Sequence, residues 1–262
     1  AILYCYYVNA KSIKDSLFEI EKTKKVISEN IDDRVAVREL NKILAHHQNL
    51  LNHRILDSLY NSKKEVKWYF DGEEIKINSK REFNSKLSTI CNTIYSQTPR
   101  FNNELVNKHK ISSSIHAARK KYFEALTNNW HQPDLGFPSV KFPPEKTIYL
   151  TLLENNNIIL LGDDLSKEVK PNDKNNFLKL WNASCKFLNS AKSSKRGIKD
   201  FIDMLGEKPF KLKQGLIDFW IPTFLFIKRD DFALFGEHGF IPTISDEVLE
   251  LIVKQPDEFE IK

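Results

Sequence analysis

Lysines and arginines crowd one stretch of this 262-residue chain: residues 80–121 carry nine of them against only Glu82 and Glu104, whereas residues 229–262 carry three against nine acids. Cations at that density attract polyanions, and the acidic stretch repels them. The chemistry on offer is the neutralisation of phosphates. Arg100, Lys108, Lys110, Arg119, Lys120 and Lys121 supply charge, and Ser113 and His116 supply further donors where a helix is predicted to begin. These eight residues are the candidate nucleic-acid contacts, with DNA as the partner considered. An ordinary solvated helical face is the competing reading of the same residues.

Catalytic signatures are missing. The sequence has no GxxxxGK[ST] phosphate loop, no GxGxxG, no GxSxG and no HExxH. His46 and His53 lie two helical turns apart beside His47, but no Asp or Glu falls at a ligand spacing from them, so they read as polar surface histidines. Asp163-Asp164 and Asp230-Asp231 fall at predicted element ends, where turns and caps account for them. Asp71, Glu73, Glu74 and Lys76 come nearest to imitating a metal-dependent nuclease set, and a solvated β-turn explains them more simply. The chain is therefore expected to hold no catalytic residue, no metal and no cofactor.

The elements that position the basic stretch can be read from periodicity. A helix is predicted from Lys11 along the stripe Ile13, Leu17, Ile20 and Ile27, and a second over residues 33–61 through Val37, Leu40, Leu44, Leu51, Ile55 and Leu59, forming a helical hairpin. Residues 66–70 and 74–77 alternate as strands around Asp71-Gly72, a pair suited to the positive φ angles of a tight hairpin. Ser79 caps the next helix with Glu82 at the capping-box position, and Phe83, Leu87, Ile90 and Ile94 form its apolar stripe. Residues 80–128 then read helix, turn, helix, turn, helix. The middle helix covers 102–107, and the last starts near Ser112 or Ser113 with Ile115, Ala118, Tyr122 and Leu126 inward and His116, Arg119 and Lys120 toward water.

A loop over 128–144 leads to a helix at 145–154, a short strand at 158–161 and a polar linker at 162–171. Helices at 174–191 and 198–205 precede residues 213–244, in which an apolar helical run passes into strands at 232–235 and 240–244 around a GEHG turn. A closing helix covers 246–254. That order is a winged-helix pattern, acidic around its wing and so better suited to protein contact or structure than to reading DNA. The predicted fold is mainly α with small β-hairpins, divided into a helical N-terminal part (1–79), a basic helix-turn-helix-like domain (80–170) and a winged-helix-like domain (171–262).

Cys5, Cys91 and Cys185 are odd in number, far apart and set among apolar neighbours, so they read as buried free thiols of a cytoplasmic protein. The apolar run 216–227 is shorter than the ~20 residues a membrane span requires and is broken by Asp218 and Pro222, so no membrane partner is expected. The chain opens directly on the strand-like AILYCYYV, as an excised piece of a longer polypeptide or a processed N-terminus would.

Two stretches carry a resemblance: LSTICNTIYSQTPRFNNELVNKHKISSSIHAARKKYFEAL with PPEKTIYLTLLE, and PFKLKQGLIDFWIPTFLFIKRDDFALFGEHGFIPTISDEVLELIVKQPDEFEI. They resemble the C-terminal region of large bacterial P-loop ATP-binding proteins of phage-defence islands, the BREX BrxC/PglY-like group, over roughly residue 80 to the C-terminus. The resemblance implies an ATPase whose nucleotide site lies N-terminal to these residues. No ATP-site residue can be carried over, and partners would be DNA, other protein domains or defence-system subunits. Three readings stand: a non-catalytic regulatory or interaction region of such a protein, a stand-alone helix-turn-helix transcriptional regulator, and an unrecognised metal-dependent nuclease.

Overall fold

Locally encoded signals decide the first ninety residues. Strand β1 (Leu3–Tyr7) leads into helices α1 (Lys11–Glu29) and α2 (Arg34–Leu59), both free of Gly and Pro, then into β2 (Val66–Phe70), β3 (Glu73–Ile75) and α3 (Lys80–Ile94). A computed structural model describes residues 2–59, 66–158, 171–173 and 175–262. The predicted hairpin turn forms: Asp71 and Gly72 hold φ of 48° and 92°, and Phe70 pairs with Glu73 across them. Asp71 also extends the pairing of β1 with β2, its Oδ1 accepting from the Ile2 N–H at 3.0 Å. The sheet order is β1-β2-β3, antiparallel throughout.

Arg54 on α2 donates through Nη1 to the Ser12 carbonyl of α1 at 3.1 Å, tying the helical hairpin. Trp68 is buried under the sheet against Phe83 of α3, their ring centroids 4.9 Å apart. Ser79 caps α3 as predicted, its Oγ accepting from the Glu82 N–H at 3.2 Å; Glu82 reaches back to the Asn78 N–H at 2.8 Å.

Residues 1–94 and 95–262 form two compact units, so α3 groups with the N-terminal elements and not with the basic segment that follows it. In the second unit, α4 (Ser113–Asn128), α5 (Pro144–Leu152), α6 (Phe177–Ser190), α7 (Ile198–Gly206), α8 (Gln214–Ile227) and α9 (Asp246–Lys254) combine with short strands β4 (Arg196–Gly197), β5 (Leu234–Gly236), β6 (Gly239–Ile241) and β7 (Glu260–Ile261). One apolar cluster runs from Phe101 to Ile261, so the segments predicted as two domains share a single core. The strand predicted at 158–161 and the linker at 162–171 lie, but for Ile158 and Pro171, outside the described residues.

Helix α8 is the axis of that core. Twelve of its residues are buried, the exceptions being Gln214 and Asp218. Its Phe and Trp side chains each contribute about 1.5–3 kcal/mol on burial. Phe224 packs edge-on against Trp181 of α6 at 5.2 Å, and Phe201 of α7 stacks on Phe187 of α6 at 4.4 Å. Two buried polar pairs lie there: Trp220 Nε1 donates to Ser184 Oγ at 3.0 Å, and Tyr122 OH meets Thr223 Oγ1 at 3.0 Å. Pro222 lies in the helix interior, not in a first turn, and removes the amide that would pair with the Asp218 carbonyl. Packing on every side keeps the helix continuous.

The helix, hairpin and closing helix appear in the predicted order, with Ser245 Oγ capping α9 at 3.3 Å from the Val248 N–H. The hairpin is not an isolated wing. Strand β7 inserts beside it, giving the antiparallel order β4-β7-β5-β6.

The middle helix predicted at 102–107 does not form. The Asn103 side chain accepts from the Leu105 N–H at 3.0 Å, and its carbonyl accepts from Val106 and Asn107, so the segment closes into turns between the buried Phe101 and Val106. Asn competes with a helix in this way by bonding its own backbone neighbours. The three-helix arrangement read from residues 80–128 is therefore not assembled. Cys91 also departs from expectation: it is exposed, while Cys5 and Cys185 are half-buried.

Candidate nucleic-acid interface

The eight sequence-predicted residues separate into two groups. Arg100, Lys108, Lys110, Ser113, His116, Lys120 and Lys121 are exposed, and Arg119 is not. Arg119 is only 2% exposed. Its Nε and Nη2 form a bidentate pair with Glu250 of α9 at 2.9 and 3.0 Å, and Nη1 stands 3.6 Å from Asp218 Oδ2 on α8 without hydrogen-bonding it. Its expected position facing water is thus corrected: a planar fork matches a carboxylate, and this one clamps three helices together.

Burial pushes the Asp218 carboxyl above its ordinary range, against the lowering effects of a Gln214 hydrogen bond and the Arg119 charge. For Glu250 the same upward push of burial is outweighed by the Arg119 hydrogen bonds and charge, and its carboxyl lies below the ordinary range. His116 stands near enough to lower both. Lys121 leans toward Glu145 at 3.6 Å. Lys120, Arg100, Lys108 and Lys110 have no ion-pair partner among the described residues.

Arg100, Lys108 and Lys110 are joined by cations from a distant part of the chain that the sequence reading did not include. Thr98 Oγ1 donates to the Phe210 carbonyl, laying residues 208–213 alongside residues 98–100. Lys213 Nζ then donates to the Asn107 carbonyl at 3.1 Å, and the Gly215 N–H donates to the Lys108 carbonyl at 2.8 Å. Gly215 is required for that approach, because a Cβ would run into the carbonyl oxygens of Val106 and Lys108.

The result is a surface on which exposed Arg100, Lys108, Lys110, Lys208, Lys211 and Lys213 outnumber Glu104 and Glu207 six to two. The starts of α4 and α8 open onto the same region, and residues 112–114 offer three hydroxyls there. Helix N-termini carry partial positive charge, which adds to the field of the side chains. The KPFKLK run at 208–213 was a legible signal, but only as a short charge cluster with no indication of where it packs.

No group of three or more His, Cys, Asp or Glu among the described residues could hold a metal ion. No helix among them is long and apolar enough to cross a membrane. No protein-family model, curated protein or solved structure matches the chain.

Proposed function

We propose that this chain is a non-catalytic interaction region that holds nucleic-acid phosphates on the patch formed by Arg100, Lys108, Lys110, Lys208, Lys211 and Lys213. The observation that carries the reading is the convergence of these two cationic segments at the starts of α4 and α8, held by the Thr98 hydroxyl and by the Asn107 and Lys108 carbonyls. Exposed cations stay hydrated in the free protein, and counterions are released when phosphates arrive. The acids of residues 229–262 lie on other elements of the same unit and repel a polyanion.

We infer from the sequence resemblance that this region belongs to a larger P-loop ATP-binding protein of a bacterial defence system. Nucleotide hydrolysis would then belong to residues outside this chain. Reading the open frame upstream of the Ala1 codon tests that part: an in-frame phosphate-loop motif supports it, and a start codon immediately before Ala1 contradicts it. Fluorescence-anisotropy titration of duplex and single-stranded DNA at low and moderate salt tests the binding. Affinity should fall steeply with salt and be lost in Lys108→Glu with Lys110→Glu; no binding at low salt, or unchanged binding in the double variant, contradicts it.

A further inference from the structure

Away from the basic patch, a 390 Å³ pocket opens between the C-terminal ends of α4 and α8 and the β5-β6 hairpin. That volume is within the range of small-molecule sites. Its walls are Trp130, Phe226, Phe232 and Phe240, and Arg229 lies among them. The Arg229 guanidinium lies over the Phe226 ring, 4.5 Å from its centroid, and over the Trp130 ring, 4.9 Å from its centroid. Its Nη1 donates to the Phe226 carbonyl at 2.9 Å, and among the described residues no other hydrogen bond or ion pair engages its remaining nitrogens. A half-buried guanidinium held by two rings, with donors left over at the wall of a cavity, is preorganised to receive a planar acceptor such as a carboxylate.

We propose that this pocket is a binding site for a small aromatic carboxylate, its ring lying against Trp130, Phe232 and Phe240 and its carboxylate on the free Arg229 donors. Two features oppose an anion. Asp230 lines the pocket, and the C-terminal ends of α4 and α8 carry partial negative charge. Asp230 is exposed and screened by water, and the Arg229 donor to Phe226 neutralises part of the α8 end. The aromatic walls are therefore needed in addition to the charge, and a carboxylate without a ring should bind poorly.

The test is isothermal titration of the full chain with indole-3-acetate, with acetate as the ringless acid and benzamidine as the ring of opposite charge. Only indole-3-acetate should bind, and Arg229→Gln should weaken it by roughly ten- to a hundredfold, the change expected on losing a charged hydrogen bond. Phe240→Ala removes a ring that is 60% exposed, so it spares the fold while weakening the same ligand several-fold. Equal binding of benzamidine, no binding of indole-3-acetate at millimolar concentration, or unchanged affinity in both variants overturns the proposal. Should Arg229→Gln prove unstable, Phe240→Ala alone decides it.

Discussion

Replacing Arg119 with Met separates a structural cation from a phosphate contact. In the folded chain Arg119 is 2% exposed, and its carboxylate partners Glu250 and Asp218 have side chains 14% and 15% exposed. Removing one member of a buried ion pair leaves the other charges uncompensated, at about 3–5 kcal/mol. The slight exposure of both acids and the Lys254 amine 3.7 Å from Glu250 point to the lower end, about 3 kcal/mol. For a unit of this size that lowers Tm by roughly 6–12 °C. Thermal melts followed by circular dichroism read the loss directly. Adding Glu250→Leu removes one stranded charge and should return at least half of it, because a buried pair can be exchanged for apolar groups at little net cost. Below the melting transition, Arg119→Met should bind DNA within twofold of the parent chain. A variant with parental Tm but weakened DNA binding would refute the structural assignment of Arg119.

Acid titration of stability should resolve Glu250 from Asp218. Glu250 has a depressed folded pKa, so its contribution is present above the unfolded value and lost as pH falls. Asp218 has a raised one, so protonation favours the folded state as pH falls. Between about pH 5 and pH 3, Glu250→Gln should flatten the loss of stability and Asp218→Asn should steepen it, as read by urea melts across that range. Gly215→Ala forces a methyl against the Val106 and Lys108 carbonyls, and should cost about 1–3 kcal/mol while weakening DNA binding through displacement of residues 106–110. Ser184→Ala strands the buried Trp220 Nε1 donor and should cost about 1–3 kcal/mol in a urea melt without altering DNA affinity.

What the sequence disclosed and what it withheld differ by the range of the interaction. Helices α1, α2 and α9 follow from apolar periodicity, the β2-β3 turn from Asp71-Gly72, and the start of α3 from Ser79, all determined within a few residues. Arg119 was misplaced because the periodicity of α4 cannot show that Glu250, 131 residues away, reaches its guanidinium. Residues 102–107 look helical by composition, yet one Asn103 side chain bonding its own backbone diverts them into turns. The contribution of residues 208–213 to the basic surface depends on tertiary contacts from Thr98 and Asn107, which charge counting along the chain cannot reveal. Shared burial of Phe101 and Ile261 in one core likewise lies beyond any local signal.

The dependence of DNA affinity on salt, measured for the parent chain and for Lys208→Gln with Lys211→Gln, addresses the central claim most directly. Both lysines are exposed, and neither has an ion-pair partner among the described residues, so the fold should be unaffected. If they neutralise phosphates, the slope of log K against log salt should become shallower by about 0.9 for each lysine removed on duplex DNA. An unchanged slope, or no DNA binding by the parent chain at low salt, would contradict the assignment of this surface.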